Sequence, residues 1–239
     1  MTKNLVIFDC DGVLVDSEFL SCKYFSQTLS DYGYPISVEE CIRRFTGVNE
    51  HICRQIILEE SGIDLPKDFW DLQQPSLLKT YQSELSPLLE PVLQALDHLE
   101  IPRCVASNSS RNNVIHCLKW TDQLKYFTEK SIFTSQQVPK AKPAPDLFFL
   151  AAQEMGVKPE NCIVVEDSSA GAHAAMAAGM QVLIFVGGTH ARFNWYRSQV
   201  AVHGKPLFPT CQELAHAIQR LIQTGEDHLE AHVPISVST

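Results

Sequence analysis

The chain has 239 residues, 45% of them hydrophobic and 20% charged, with a formal net charge of −9. That length suits one large domain, or one domain with a second inserted into it. The acidic balance argues against a nucleic-acid-binding surface, which needs a basic face, and no stretch approaches the roughly 18 apolar residues that span a bilayer. Neither a nucleic acid nor a membrane is therefore expected as a partner. An anionic small molecule is not excluded, because local groups and a metal decide its binding. The 8 cysteines form no Cys-x-x-Cys pair and pair with no nearby histidine at zinc spacing. Several sit in apolar runs, where a free thiol behaves as a small hydrophobe. The opening apolar run is short and ends in charge, unlike a secretory signal. The expected setting is reducing and cytoplasmic.

In chain order, Leu5-Val6-Ile7-Phe8 reads as a buried strand, and it ends on Asp9-Cys10-Asp11-Gly12. Asp and Gly are common in surface turns. The alternative is chemistry, since ligands of open α/β sheets bind outside the carboxyl ends of the strands. The pair then means either a metal site or a nucleophile with an acid beside it. From 17 to 86 the pattern changes to helices over 17–32, 37–44, 49–61 and 66–84, punctuated by Tyr32-Gly33-Tyr34-Pro35 and by Gly62 to Pro66. A helical insertion after the first strand, joined by two crossings, could open and close over a site.

Three further apolar runs follow: 103–106 ending at Ser107-Asn108, 162–165 ending at Glu166-Asp167, and 182–186 ending at Gly187-Gly188. Helices are predicted over 111–119, 145–155, 169–178 and 210–223. Near-continuous apolar strands separated by helices indicate a parallel sheet covered on both faces. The expected architecture is α/β: a Rossmann-like three-layer core of residues 1–16 and 87–224, an inserted helical domain of residues 17–86, and a mobile tail from 225 to 239. His116 and His173, inside apolar helices, read as packing residues.

The strand ends carry different chemical groups. Ser107 and Asn108 precede a helix opening, where a hydroxyl, an amide and free backbone N–H groups make an anion site. Lys142 precedes a proline that favours extended backbone. A hard dication needs oxygen ligands, which Asp9 with Asp167 or Glu166 can supply. Ser107, Asn108 and Lys142 can donate to a phosphate. Phosphoryl transfer is mostly positioning and charge neutralisation, and a carboxylate beside Mg2+ can accept the phosphoryl group.

These residues resemble, in order, the four motifs of the haloacid dehalogenase-like hydrolase superfamily: Asp9-Cys10-Asp11-Gly12-Val13, Ser107 in Val105-Ala106-Ser107-Asn108, Lys142 in Lys142-Pro143-Ala144-Pro145-Asp146, and Glu166-Asp167-Ser168 with Ala170-Gly171. The helical insertion resembles the small cap of that family. The resemblance spans residues from about 4 to 223. It implies that Asp9 is the nucleophile and that Asp11 is the acid and then the base. It implies Mg2+ held by Asp9, the Asp11 carbonyl and Asp167, with Glu166 a direct or water-mediated ligand. Ser107 and Lys142, helped by Asn108, would hold the phosphate.

Within the superfamily, Asp11 separates this chain from the dehalogenase branch, which lacks an acid two residues after its nucleophile. The phosphonate-cleaving branch needs a cap lysine for a Schiff base, and Lys23, Lys67 and Lys79 stand in no matching context. The sugar phosphomutase branch carries a histidine just after the first motif and basic residues around a cap glycine. Here Thr46 and Glu50 flank Gly47, and a second phosphate would meet a carboxylate. Arg43 and Arg44 could still reach an anion, so Arg43, Arg44 and Thr46 are the candidate specificity residues; a solvated helix end is the other reading of the two arginines. The expected function is a Mg2+-dependent phosphatase of small phosphorylated metabolites, sugar or sugar-acid phosphates, resembling the branch of 6-phosphogluconate phosphatase-like enzymes. The expected form is a monomer or weak homodimer. A phosphomutase and a non-catalytic metabolite-binding protein are the alternatives.

Overall fold

The computed structural model describes residues 4–46, 48 and 50–224. The segment 225–239, for which the sequence suggests a mobile tail, lies outside the described residues. The chain divides into two compact units, one built from residues up to Val15 and from Pro87 onward, the other from Asp16–Ser86.

The first unit is α/β. Its strands are β1 (Leu5–Phe8), β2 (Arg103–Ser107), β3 (Ile132–Thr134), β4 (Cys162–Glu166), β5 (Gln181–Phe185) and β6 (Leu207–Phe208). They form one parallel sheet in the order β3-β2-β1-β4-β5-β6. Successive strand residues point to opposite faces, yet every residue of β1 and β4 is buried. Both faces of the sheet centre are therefore covered, as a three-layer α/β fold requires. The helices of this unit are α5 (Glu90–His98), α6 (Arg111–Trp120), α7 (Asp146–Glu154), α8 (Ser169–Ala177), α9 (Asn194–Ala201) and α10 (Cys211–Thr224), and α1 to α4 belong to the second unit. Helix α7 lies along β1, β2 and β3, α8 along β4 and β5, and α10 packs with α5 and β6.

Strand order reverses between β1 and β4, where Phe8 pairs with Val165 and the Asp9 N–H donates to the Val165 carbonyl at 3.0 Å. The crevice outside the carboxyl ends at such a switch point is where open α/β sheets bind ligands. Two helix starts facing this end are capped by serine. Ser110 accepts from the Asn113 N–H at the start of α6, and Ser168 accepts from the Gly171 N–H at the start of α8.

The second unit is helical: α1 (Ser17–Asp31), α2 (Val38–Phe45), α3 (Glu50–Ser61) and α4 (Phe69–Glu84). Its core is Leu29, Tyr34, Ile57, Leu65 and Phe69, with Phe25, Ile36, Phe45, Ile63 and Trp70 packed against it. Phe69 is fully buried, and the rings of Tyr32 and Trp70 meet it edge-on at 5.2 and 4.9 Å. The unit thus has a core of its own, as a domain needs. Arg44 donates to the Tyr34 hydroxyl at 2.9 Å and to Glu60 at 2.5 Å, and Tyr34 donates to Glu60 at 2.7 Å. Arg43 pairs with Glu39 and Glu40 on its own helix. The Thr46 hydroxyl lies 3.5 Å from Cys22 Sγ.

Several elements differ from the sequence expectation. Helix α4 begins at Phe69 rather than 66, because the Phe69 N–H closes a turn onto the Pro66 carbonyl. Strands β3 and β6, with three and two residues, are too short for a periodicity to register. Helix α5 carries Pro91 in its first turn, where a missing N–H is harmless. His116 and His173 are exposed rather than packed. The His116 ring stacks on Trp120 one helical turn on, at 5.2 Å.

Phe69→Ala is expected to cost about 3–5 kcal/mol, since a fully buried ring leaves a cavity its neighbours fill only in part. Urea denaturation followed by tryptophan fluorescence, with Trp70 beside the cavity, measures it; a change under about 1 kcal/mol would mean this core is loosely packed.

Candidate active site

The carboxyl ends of β1, β2 and β4 supply the polar groups. Asp9 follows β1, Ser107 ends β2, and Glu166 ends β4 with Asp167 beyond it. Asp9, Ser107, Lys142, Glu166 and Asp167 are all buried. One carboxylate oxygen from each of Asp9, Glu166 and Asp167 lies within 4.8 Å of the others.

Lys142 joins the strand ends. Its Nζ donates to Asp9 Oδ1 at 2.6 Å and to Glu166 Oε1 at 2.5 Å. Burial alone would pull the lysine pKa down, but the two carboxylates more than reverse this and keep it protonated. The backbone of Lys142 is held too. The Asn108 side-chain amide donates to its carbonyl at 3.1 Å and accepts its N–H at 3.0 Å. Asn108, grouped with the phosphate donors on sequence, therefore spends both ends of its amide on Lys142. The Lys142–Pro143 peptide bond is cis.

Glu166 is fully buried, and its second oxygen, Oε2, accepts from the Asp167 N–H, the Ser168 N–H and the Ser168 hydroxyl at 3.1, 3.2 and 2.9 Å. A Cβ at Gly171 would overlap this carboxylate. The alanine-glycine pair of the fourth motif thus has a steric reason.

Asp11, grouped with Asp9 on sequence, lies at the mouth of the same loop. Its Oδ2 accepts from the Ser109 hydroxyl at 2.6 Å. The Ser109 N–H in turn donates to Ser107 Oγ at 3.0 Å. That bond uses the Ser107 oxygen as an acceptor and leaves its O–H to donate elsewhere. Gly12 has φ +73°, and a Cβ there would overlap Asp167 Oδ2.

Three groups escaped the sequence reading. Ser109 carries no sequence signal beyond its place at a helix opening. His190, fully buried, follows Gly187-Gly188 after β5, and its Nε2 lies 2.9 Å from Asp167 Oδ2. The Tyr196 hydroxyl donates to the Asp167 carbonyl at 3.3 Å. The available signal for His190 was a glycine pair at a strand end with a polar residue just beyond it. Arg43, Arg44 and Thr46 belong to the helical unit, with the partners given above.

The donor set suits a hard dication. Burial, with the charges of Glu166, Asp167 and Asp11, pushes the Asp9 carboxyl well above the usual carboxylate range, and Lys142 only partly offsets this. Burial raises Asp167 too, against the opposing pull of His190. Three buried carboxylates face one ammonium, and oxygen ligands of this kind are what Mg2+, Ca2+ or Mn2+ take. Among the described residues no helix is long and apolar enough to cross a membrane.

Comparison with known proteins agrees with this geometry. Residues 6–185 match the family described as haloacid dehalogenase-like hydrolase. The chain is 35% identical to the 6-phosphogluconate phosphatase of Escherichia coli strain K12, over 77% of this chain and 83% of that protein. It is 31% identical to the phosphorylated carbohydrates phosphatase of Thermotoga maritima, over 74% of this chain and 82% of that protein. A solved structure from Agrobacterium tumefaciens strain C58, a conserved haloacid dehalogenase-like protein, superposes with a TM-score of 0.81 at 34% identity, covering 92% of this chain and 99% of that one. The strand order, the groups at three strand ends with Lys142 between them, and these likenesses agree, and the chain belongs to the haloacid dehalogenase-like hydrolases.

Proposed function

We propose that the chain is a Mg2+-dependent phosphatase of small phosphorylated metabolites, with sugar or sugar-acid phosphates as its substrate class. The observation that carries this reading is the buried lysine between Asp9 and Glu166, with Asp167 and Ser107 beside it. The named activities of the relatives support the substrate class. The helical unit Asp16–Ser86 is the candidate cap that selects among substrates.

In this reading Asp9 attacks phosphorus in line with the ester oxygen. The new bond is a carboxyl–phosphate anhydride, and the phosphorus–ester bond breaks. Asp11 gives its proton to the departing alkoxide and then takes one from the water that hydrolyses the aspartyl phosphate. The Ser109 hydroxyl holds Asp11 to one orientation. Lys142 and the Ser107 hydroxyl donate to the transferred phosphoryl oxygens. Asn108 acts through the Lys142 backbone rather than on the phosphate itself. Asp9, Asp167 and the Asp11 carbonyl would hold Mg2+, and Glu166, whose oxygens already take four donors, stands behind them. The ion, when bound, supplies charge neutralisation for the phosphoryl group.

Asp9→Asn should abolish phosphate release while leaving the circular dichroism spectrum of the parent. Phosphate release from sugar phosphates, 6-phosphogluconate, phosphoglycolate, nucleotides and β-glucose 1-phosphate, with Mg2+ and with chelator, tests the activity. Substantial turnover by Asp9→Asn removes it as nucleophile. Isomerisation of β-glucose 1-phosphate without phosphate release would make the chain a mutase, and no turnover of any ester would make it a binding protein.

A second expectation concerns pH. The Asp9 carboxyl lies well above its ordinary value of 3.8 in the folded chain. Between those two values the folded chain carries more protons than the unfolded one. Stability of the metal-free protein therefore falls as pH rises across that window. Mg2+ competes with those protons, so the rise in melting temperature on adding Mg2+ should widen as the pH rises above the ordinary carboxylate range. A rise that stays constant or shrinks would remove Asp9 from the ion's ligands.

A further inference from the structure

We propose that His190 is a positioning residue for the metal site, fixing the carboxylate of Asp167 by a hydrogen bond from its ring; the inference rests on the metal role proposed above for Asp167.

His190 stands apart from the four motifs, in a single 3-10 turn, Thr189–Arg192, after β5. It is fully buried, and its Nε2 lies 2.9 Å from Asp167 Oδ2. An imidazole in an interior needs a polar partner to offset its desolvation, and a position that served packing alone would be filled by an apolar side chain. Here the ring nitrogen lies within 2.9 Å of a carboxylate oxygen of the buried acidic cluster.

The surroundings are shaped to this ring. A Cβ at Gly188 would lie 2.7 Å from His190 Cε1, and one at Gly12 would lie 2.8 Å from the same atom. Two glycines, one in the first motif and one beyond β5, thus clear the space the ring occupies. The Tyr196 ring meets it edge-on at 4.8 Å, and the Tyr196 hydroxyl donates to the Asp167 carbonyl at 3.3 Å. Asp167 is thereby approached twice from this side, at its side chain by His190 and at its backbone by Tyr196. With a proton on Nε2 the ring would donate to Oδ2 and fix the carboxylate plane. Partners of this kind orient the ligands of metal sites, and losing one typically weakens metal affinity about tenfold to a hundredfold.

Two substitutions of similar length separate the hydrogen bond from the filling of space. His190→Gln keeps an N–H donor, and His190→Met fills the site without one. Mn2+ serves as the probe, with affinity read from the electron paramagnetic resonance signal of the free ion, without substrate. His190→Met should bind Mn2+ about tenfold to a hundredfold more weakly than the parent, and His190→Gln should recover most of the loss. Equal affinity of His190→Met and the parent overturns the proposal. Equal weakening in both variants also overturns it, because the effect is then packing alone. Asp167→Asn is measured in parallel: if it binds Mn2+ as the parent does, the metal reading of Asp167 fails, and the role of His190 with it. If Asp167→Asn loses binding and His190→Met does not, only the role of His190 fails. The unsubstituted protein gives a second readout that does not depend on either variant folding. Nitrogen-15 spectra of its histidines should show a slowly exchanging Nε2–H for His190 that shifts on adding Mg2+; an unprotonated Nε2 overturns the proposal.

Discussion

The site depends on burying one ammonium between two carboxylates. Lys142 reaches Asp9 at the end of β1 and Glu166 at the end of β4 through bonds of 2.6 and 2.5 Å. An unpaired charge in that position would be prohibitive, and a paired one is tolerated only with good geometry and its other bonds made. The surrounding chain meets both conditions. Asn108 at the end of β2 holds the backbone of Lys142, and the β4–α8 loop fills the remaining oxygen of Glu166 with three donors. One lysine thus ties together the ends of three strands. The cluster lies where strand order reverses, which is where the fold leaves a crevice.

The same lysine does not neutralise the site. Its two bonds leave Asp167 to His190, and three buried carboxylates with Asp11 beside them still outnumber one ammonium. Like charges in a poorly screened interior repel strongly. The protein holds them together by rigid local means: a capped helix start, two overlap-forbidding glycines and a serine on Asp11. A site so arranged is negative on its strand side, while the Ser107 hydroxyl keeps its O–H to offer to an anion. The two halves suit a cation and a phosphate bound together better than either alone.

Much of this was legible in the sequence, because the chemistry is attached to strand ends. A four-residue apolar run announces a buried strand, and the polar residues just after it announce the crevice. Asp9, Ser107 and Glu166-Asp167 were found that way, and the parallel sheet followed from the spacing of helices between the runs. What was not legible has a common cause. Strands of two or three residues carry no period, and side-chain partners far apart in sequence carry no local signature. Ser109 and Asp11 are separated by 98 positions, and Asn108 and Lys142 by 34. On sequence the Asn108 amide reads as a donor at a helix opening, and in the fold it is bonded to the Lys142 backbone. On sequence His116 and His173 read as packing residues, and His190 carries no local signature beyond the glycine pair before it. Burial reverses this, since His190 is enclosed and the other two are exposed.

The helical unit shows the limit of reading charge from sequence. Arg43 and Arg44 look alike on paper, adjacent at the end of one helix. In the fold they differ, because neighbours on a helix point about 100° apart. Arg43 lies along its own helix with Glu39 and Glu40. Arg44 turns to Glu60 on α3 and to the Tyr34 hydroxyl, which itself donates to Glu60. That closed triangle links α2, α3 and the turn after α1. A guanidinium so engaged contributes to the shape of the unit before it contributes to any ligand, because an anion would have to compete with a carboxylate already in place.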